Sequence, residues 1–111
     1  MATWIEFEEG KSLDSVGSES GIIVKDEELE SSARITIEND GQTAPFSITL
    51  GIYGLAFHTN FYSTIDKAEE DFIWYKFKIE EILRLYEIEE NERNKEWNES
   101  HNLLIDELIN R

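Results

Sequence analysis

The stretch from Ala44 to Tyr62 constrains the fold most, because it is the longest run in the chain that alternates as a buried strand does. Phe46, Ile48, Leu50 and Ile52 share one side under the two-residue period of a strand, while Tyr53, Leu55, Phe57 and Phe61 fall on the other parity. A slip of one residue therefore lies between them. Gly51 and Gly54 bracket it, and glycine accepts the positive φ that a bulge or a tight reversal demands. Two structures fit: one long bent strand carrying a bulge, or two strands turning at Gly51–Gly54. The bent strand is preferred, since a hairpin tip holding Ile52 and Tyr53 exposes apolar surface where turns ordinarily carry Asn, Asp, Gly or Ser.

Before that stretch, Trp4–Phe7 suits a first strand, residues 10–21 are rich in Gly and Ser and read as a loop, and Ile22–Val24 reads as a second strand. The acidic residues 26–30 fit one helical turn or a loop, held at the surface by their charge. Ala33–Glu38 alternates with Ala33, Ile35 and Ile37 inward and Arg34, Thr36 and Glu38 outward. It runs into Asn39-Asp40-Gly41, a hairpin signal, so it is expected to pair antiparallel with a strand starting near Thr43. Pro45 donates no hydrogen bond and belongs at that strand's beginning or on an outer edge.

After Tyr62 the period changes. Ser63 and Asp66 have the spacing of a capping box, and Ile65, Ala68, Phe72, Tyr75, Ile79, Ile82 and Tyr86 form one stripe at alternating spacings of three and four. Ile73 and Leu83 widen the stripe, and Trp74 and Phe77 lie off it. Residues 89–95 carry no apolar side chain, so the helix is expected to break near 91–94 and a second one to run from about Asn94 to Ile109. Trp97, His101, Leu104 and Leu108 form its stripe. The order predicts a single α+β domain over residues 1–111: an antiparallel sheet of four to five strands, then a long helix and a shorter C-terminal helix, β-β-β-β-α-α.

The formal charge is −15 and the pI about 4.3. Such a chain is repelled by nucleic-acid phosphates and by anionic membrane surfaces, so neither is an expected partner. No apolar segment approaches the roughly 20 residues that cross a bilayer, and the opening residues lack the basic and then apolar run of a signal peptide. There is no cysteine, hence no disulfide and no thiolate metal site, and a cytoplasmic location is expected.

Chemistry-bearing motifs are absent: the chain has no P-loop, no dinucleotide-binding glycine turn and no nucleophile elbow. His58 and His101 have no second histidine at metal-ligand spacing. If the parity after Gly54 holds, His58 points opposite to Leu55, Phe57 and Phe61, towards solvent or a partner. The acidic clusters at 26–30, 69–71 and 87–92 lack the ligand pattern of a calcium loop and read as solvated surface. No catalytic, metal or cofactor residue is assigned, and a non-enzymatic role is expected, with a small enzyme of unrecognised site as the second alternative.

Aromatic residues off the helical stripe, surrounded by acids, suit a protein interface. In size, acidity and absence of cysteine the chain is similar to immunity-type proteins that block a basic toxin or nuclease. On that reading Trp74 or Phe77 anchors a basic partner while Glu80, Glu81, Glu87, Glu89 and Glu90 supply negative potential. The competing expectation is a structural homodimer, pairing through a sheet edge or through Trp97, His101, Leu104 and Leu108.

Overall fold

The computed structural model describes residues 3–111. Five strands, β1 (Trp4–Glu6), β2 (Ile22–Leu29), β3 (Ala33–Asn39), β4 (Phe46–Ile52) and β5 (Ala56–Tyr62), form one antiparallel sheet in chain order. Two helices follow, α1 (Ile65–Leu85) and α2 (Lys95–Ile109), and the architecture is α+β. The chain divides into two compact units, with the division between Ile73 and Trp74 inside α1. Among the described residues no helix is long and apolar enough to cross a membrane.

In the first unit, register places Ala33, Ile35 and Ile37 of β3 opposite Ile52, Leu50 and Ile48 of β4. All six are buried, and they form the apolar face of the sheet. The opening turns of α1 lie on that face: the Tyr62 hydroxyl donates to Asp71 at 2.8 Å, and the Lys25 ammonium sits 5.6 Å from the Phe72 ring centre. Thr64, not Ser63, caps α1, its hydroxyl accepting from the Lys67 amide. Ala68 and Phe72 are buried as the stripe requires, whereas Ile73 is exposed and does not widen it.

The change of phase is a hairpin, not a bulge. The Leu55 amide donates to the Ile52 carbonyl at 2.9 Å, and Gly54 takes φ +76°. Tyr53 is tolerated at the tip because its hydroxyl reaches across to the Glu28 carboxylate at 2.6 Å. Partial desolvation of the hydroxyl, together with that carboxylate, raises the Tyr53 phenol to about 12. On β5, His58 pairs with Leu50 and so faces the apolar side, half-buried and not turned to solvent; Phe57 and Phe61 take the opposite face and are exposed. Burial pushes the His58 imidazole below its ordinary value.

Two further expectations change. β2 does not stop at Val24: the segment read as a helical turn or loop continues the strand to Leu29, after a register shift between Ile23 and Lys25. The β3–β4 connection is also longer than a two-residue turn. Asp40 takes φ 56°, its amide donates to the Pro45 carbonyl, and β4 begins at Phe46, directly after Pro45. A Cβ on Gly41 would lie 3.1 Å from the Glu19 carbonyl, so this glycine serves a close approach of two loops.

In the second unit, α1 residues Tyr75, Ile79 and Ile82 are buried, and Leu108 of α2 is fully buried. The expected break is present. Asn94 caps α2 by accepting from the Trp97 amide at 2.9 Å. Carbonyls at and just beyond the end of α1 accept from side chains: the Trp97 indole donates to Leu85 at 2.7 Å, and Arg93 donates to Ile88 and Tyr86.

Candidate interaction surfaces

The anchors proposed from sequence fall in the second unit. Trp74 is half-buried and flanked by cations, with the Arg111 guanidinium 4.3 Å and the Lys78 ammonium 5.2 Å from its ring. Phe77 is 66% exposed. Glu80 and Glu81 stand three and four residues further along the same helix, which places them beside Phe77 on its surface. Glu81 also pairs with Lys78 at 3.4 Å, and Lys78 donates to Glu107 at 2.6 Å, which raises its ammonium above the ordinary value. Glu87, Glu89 and Glu90 are exposed and lie beyond α1, which ends at Leu85, in the connection to α2, where Glu90 opens a short 3-10 turn.

The α2 residues named for a dimer are placed differently. Trp97 and His101 stack at 5.0 Å and 13°, Tyr86 meets both rings edge-on, and the Tyr86 hydroxyl bonds His101 Nε2 at 2.6 Å. Arg93 lies 4.8 Å from both Tyr86 and Trp97. These four side chains lock the α1–α2 turn. Leu108 is buried within the chain and Leu104 is half-buried, while Leu103, off the named stripe, is exposed.

Sequence reasoning missed the second face of the sheet. Arg34, Thr36 and Glu38, read as outward, do face away from the apolar side, yet Thr36 and Glu38 are buried there with Asp26 and Ser47. Asp26, read as solvated, is 2% exposed and accepts from Arg34 Nε and Nη2 at 2.9 and 2.6 Å, from Ser12 at 2.7 Å and from Thr36 at 3.0 Å. The hydrogen bond and charge of Asp26 raise the Arg34 guanidinium further, and that guanidinium stacks 3.6 Å above the Phe7 ring.

Glu38 is held by backbone. Its carboxylate accepts from the Glu19 and Gly21 amides at 3.1 and 3.0 Å. A Cβ on Gly17 would stand 2.3 Å from the carboxyl carbon, so any larger residue here pushes this carboxylate from its place under the loop. The Gly/Ser-rich segment is thus a lid of irregular backbone, pinned further by the Asp14 amide to the Ile23 carbonyl and the Ile23 amide to the Ser15 carbonyl, each at 2.9 Å.

Between this lid and the β4–β5 hairpin lies a groove of about 950 Å³, lined by Phe7, Lys11, Ser15 and Val16 on one side, Arg34, Thr36 and Thr49 on its floor, and Tyr53 and Phe57 on the other side. Both oxygens of Asp26 are engaged by Arg34, so this acid anchors the guanidinium and the Ser12 hydroxyl. The only sequence signal for the arrangement is the pair of glycines at 17 and 21, whose partners lie far along the chain. Among the described residues, no group of three or more His, Cys, Asp or Glu is placed to hold a metal ion. The chain matches no protein family, no curated protein and no solved structure.

Proposed function

We infer that the protein is a small acidic binding module, of the immunity or inhibitor kind, that neutralises a basic protein partner. The observation that supports this is Phe77, a large ring 66% exposed on α1 with Glu80 and Glu81 beside it, in a chain of charge −15. A ring that loses its water on binding supplies affinity, and the surrounding acids steer a basic surface towards it. Glu87, Glu89 and Glu90 extend the negative potential beyond the helix end.

The test is retention of proteins from a lysate of the source cells by the immobilised protein, at low and then moderate salt. A basic protein should be held at low salt and released as salt rises, and Phe77→Lys should weaken its binding by more than about tenfold. Paired reversal, Glu80→Lys with Glu81→Lys, should slow association more than it speeds dissociation. The reading fails if the retained protein binds all variants as it binds the natural chain, or if none is retained at low salt.

A further inference from the structure

Residues 41–65, which include the whole of β4 and β5, contain no Asp, Glu, Lys or Arg, so all 25 acidic and 10 basic side chains lie elsewhere. β5 is an edge of the sheet, with Phe57 75% and Phe61 40% exposed. Natural edge strands are ordinarily blunted by charge, proline, bulges or short length. β5 is seven residues long with none of these residues, and it pairs with β4 in unbroken register. We propose that β5 is a self-association edge at which a second copy of this chain adds its own β5 antiparallel, making one continuous sheet across a two-fold axis at Thr59.

The backbone sets the register. The Phe61 amide donates to its neighbour's Asn60 side chain at 2.9 Å, which turns it away from β4. Strand groups alternate in direction, so the amides and carbonyls of Phe57, Thr59 and Phe61 all point to the open side. With Thr59 opposite Thr59 of the second copy, Phe57 falls opposite Phe61, and every outward donor meets an outward acceptor. The Asn60 contact to the Phe61 amide is exchanged for the Phe57 carbonyl of the second copy. Phe57, Thr59 and Phe61 stand on the same face, so one aromatic pair lies on either side of the central threonine pair along the new seam.

Charge selects the occupant. Two chains of −15 repel wherever acids meet, and the uncharged hairpin is where they approach without opposing carboxylates. The edge is also self-complementary, as a two-fold contact demands.

Sedimentation equilibrium from low micromolar to several hundred micromolar protein tests the inference. The natural chain should reach the dimer mass, and either lysine variant should raise the dissociation constant by more than about tenfold: Thr59→Lys sets two like charges opposite each other at the axis, and Phe57→Lys replaces an aromatic pair by a lysine against Phe61 of the second copy. Because the chain has no cysteine, oxidation of single-cysteine variants reads the register directly. Thr59→Cys should form a disulfide dimer well ahead of Leu103→Cys on α2, and mixed Phe57→Cys and Phe61→Cys chains should cross-link faster than either alone. A monomer throughout the concentration range overturns the proposal. So does a dimer that survives both lysine variants, or one that cross-links preferentially at Leu103. Phe77→Lys should leave the dimer mass unchanged, which separates this edge from partner binding on α1.

Discussion

Both faces of the sheet bury side chains over β3 and its neighbours, but by opposite chemistry. One is built from Ala33, Ile35, Ile37, Ile48, Leu50 and Ile52, whose burial is favourable in itself. The other buries Asp26, Thr36, Glu38 and Ser47 beneath a loop, and is tolerable only because the acids keep their hydrogen bonds. A face of the first kind forgives a change of partner provided volume is kept. A face of the second kind depends on named donors, and its weakness is loss of a partner.

The largest expected effect comes from the apolar face. Ile37→Ala should cost about 4 kcal/mol in denaturant unfolding, since the side chain is fully enclosed and the cavity cannot collapse. A cost under about 1 kcal/mol would show that this face is looser than its burial implies.

Next is the ion pair opposite. Asp26→Ala should destabilise by about 3 kcal/mol, because it strands Arg34, Ser12 and Thr36 together. Adding Arg34→Leu should recover part of that loss. Were Asp26 an ordinary surface acid, the single change would cost close to nothing.

A smaller effect is expected from Gly17→Ala, about 2 kcal/mol, as the added methyl collides with the Glu38 carboxylate and lifts the lid. Hydrogen exchange should quicken at the Glu19 and Gly21 amides while β3 and β4 stay protected. Equal quickening in both regions would deny that the lid opens separately from the sheet.

The smallest effect is a pH slope. Burial holds the His58 imidazole below its ordinary 6.5, so as pH falls the unfolded chain takes up this proton first. Stability is undiminished by this group above 6.5 and declines as pH drops from there towards the lower folded value. Denaturant midpoints at about pH 7.5 and about pH 5.5 should therefore differ less in His58→Gln than in the natural chain. An identical difference in both would place the imidazole in water.

Local pattern alone carried much of the fold. The alternation of Ala33–Glu38, the α1 stripe through Phe72, Tyr75, Ile79 and Ile82, and the start of α2 at Asn94 were legible because period and cap involve residues within a turn or two of one another. Phe77 was legible for the same reason, standing off a stripe of fixed period.

The hairpin at Gly54, the continuation of β2 and the buried acids were not legible, and the physical reason is distance along the chain. Tyr53 sits at a turn because Glu28, 25 residues earlier, receives its hydroxyl. Asp26 leaves water because Arg34 and Ser12, 8 and 14 residues away, replace it. Glu38 does so because the Glu19 and Gly21 amides are brought over it by glycines that leave room. Periodicity states which side of a strand a residue takes. Whether that side is dry depends on what the rest of the chain lays upon it, and here only the tertiary structure decided that a polar face would be buried.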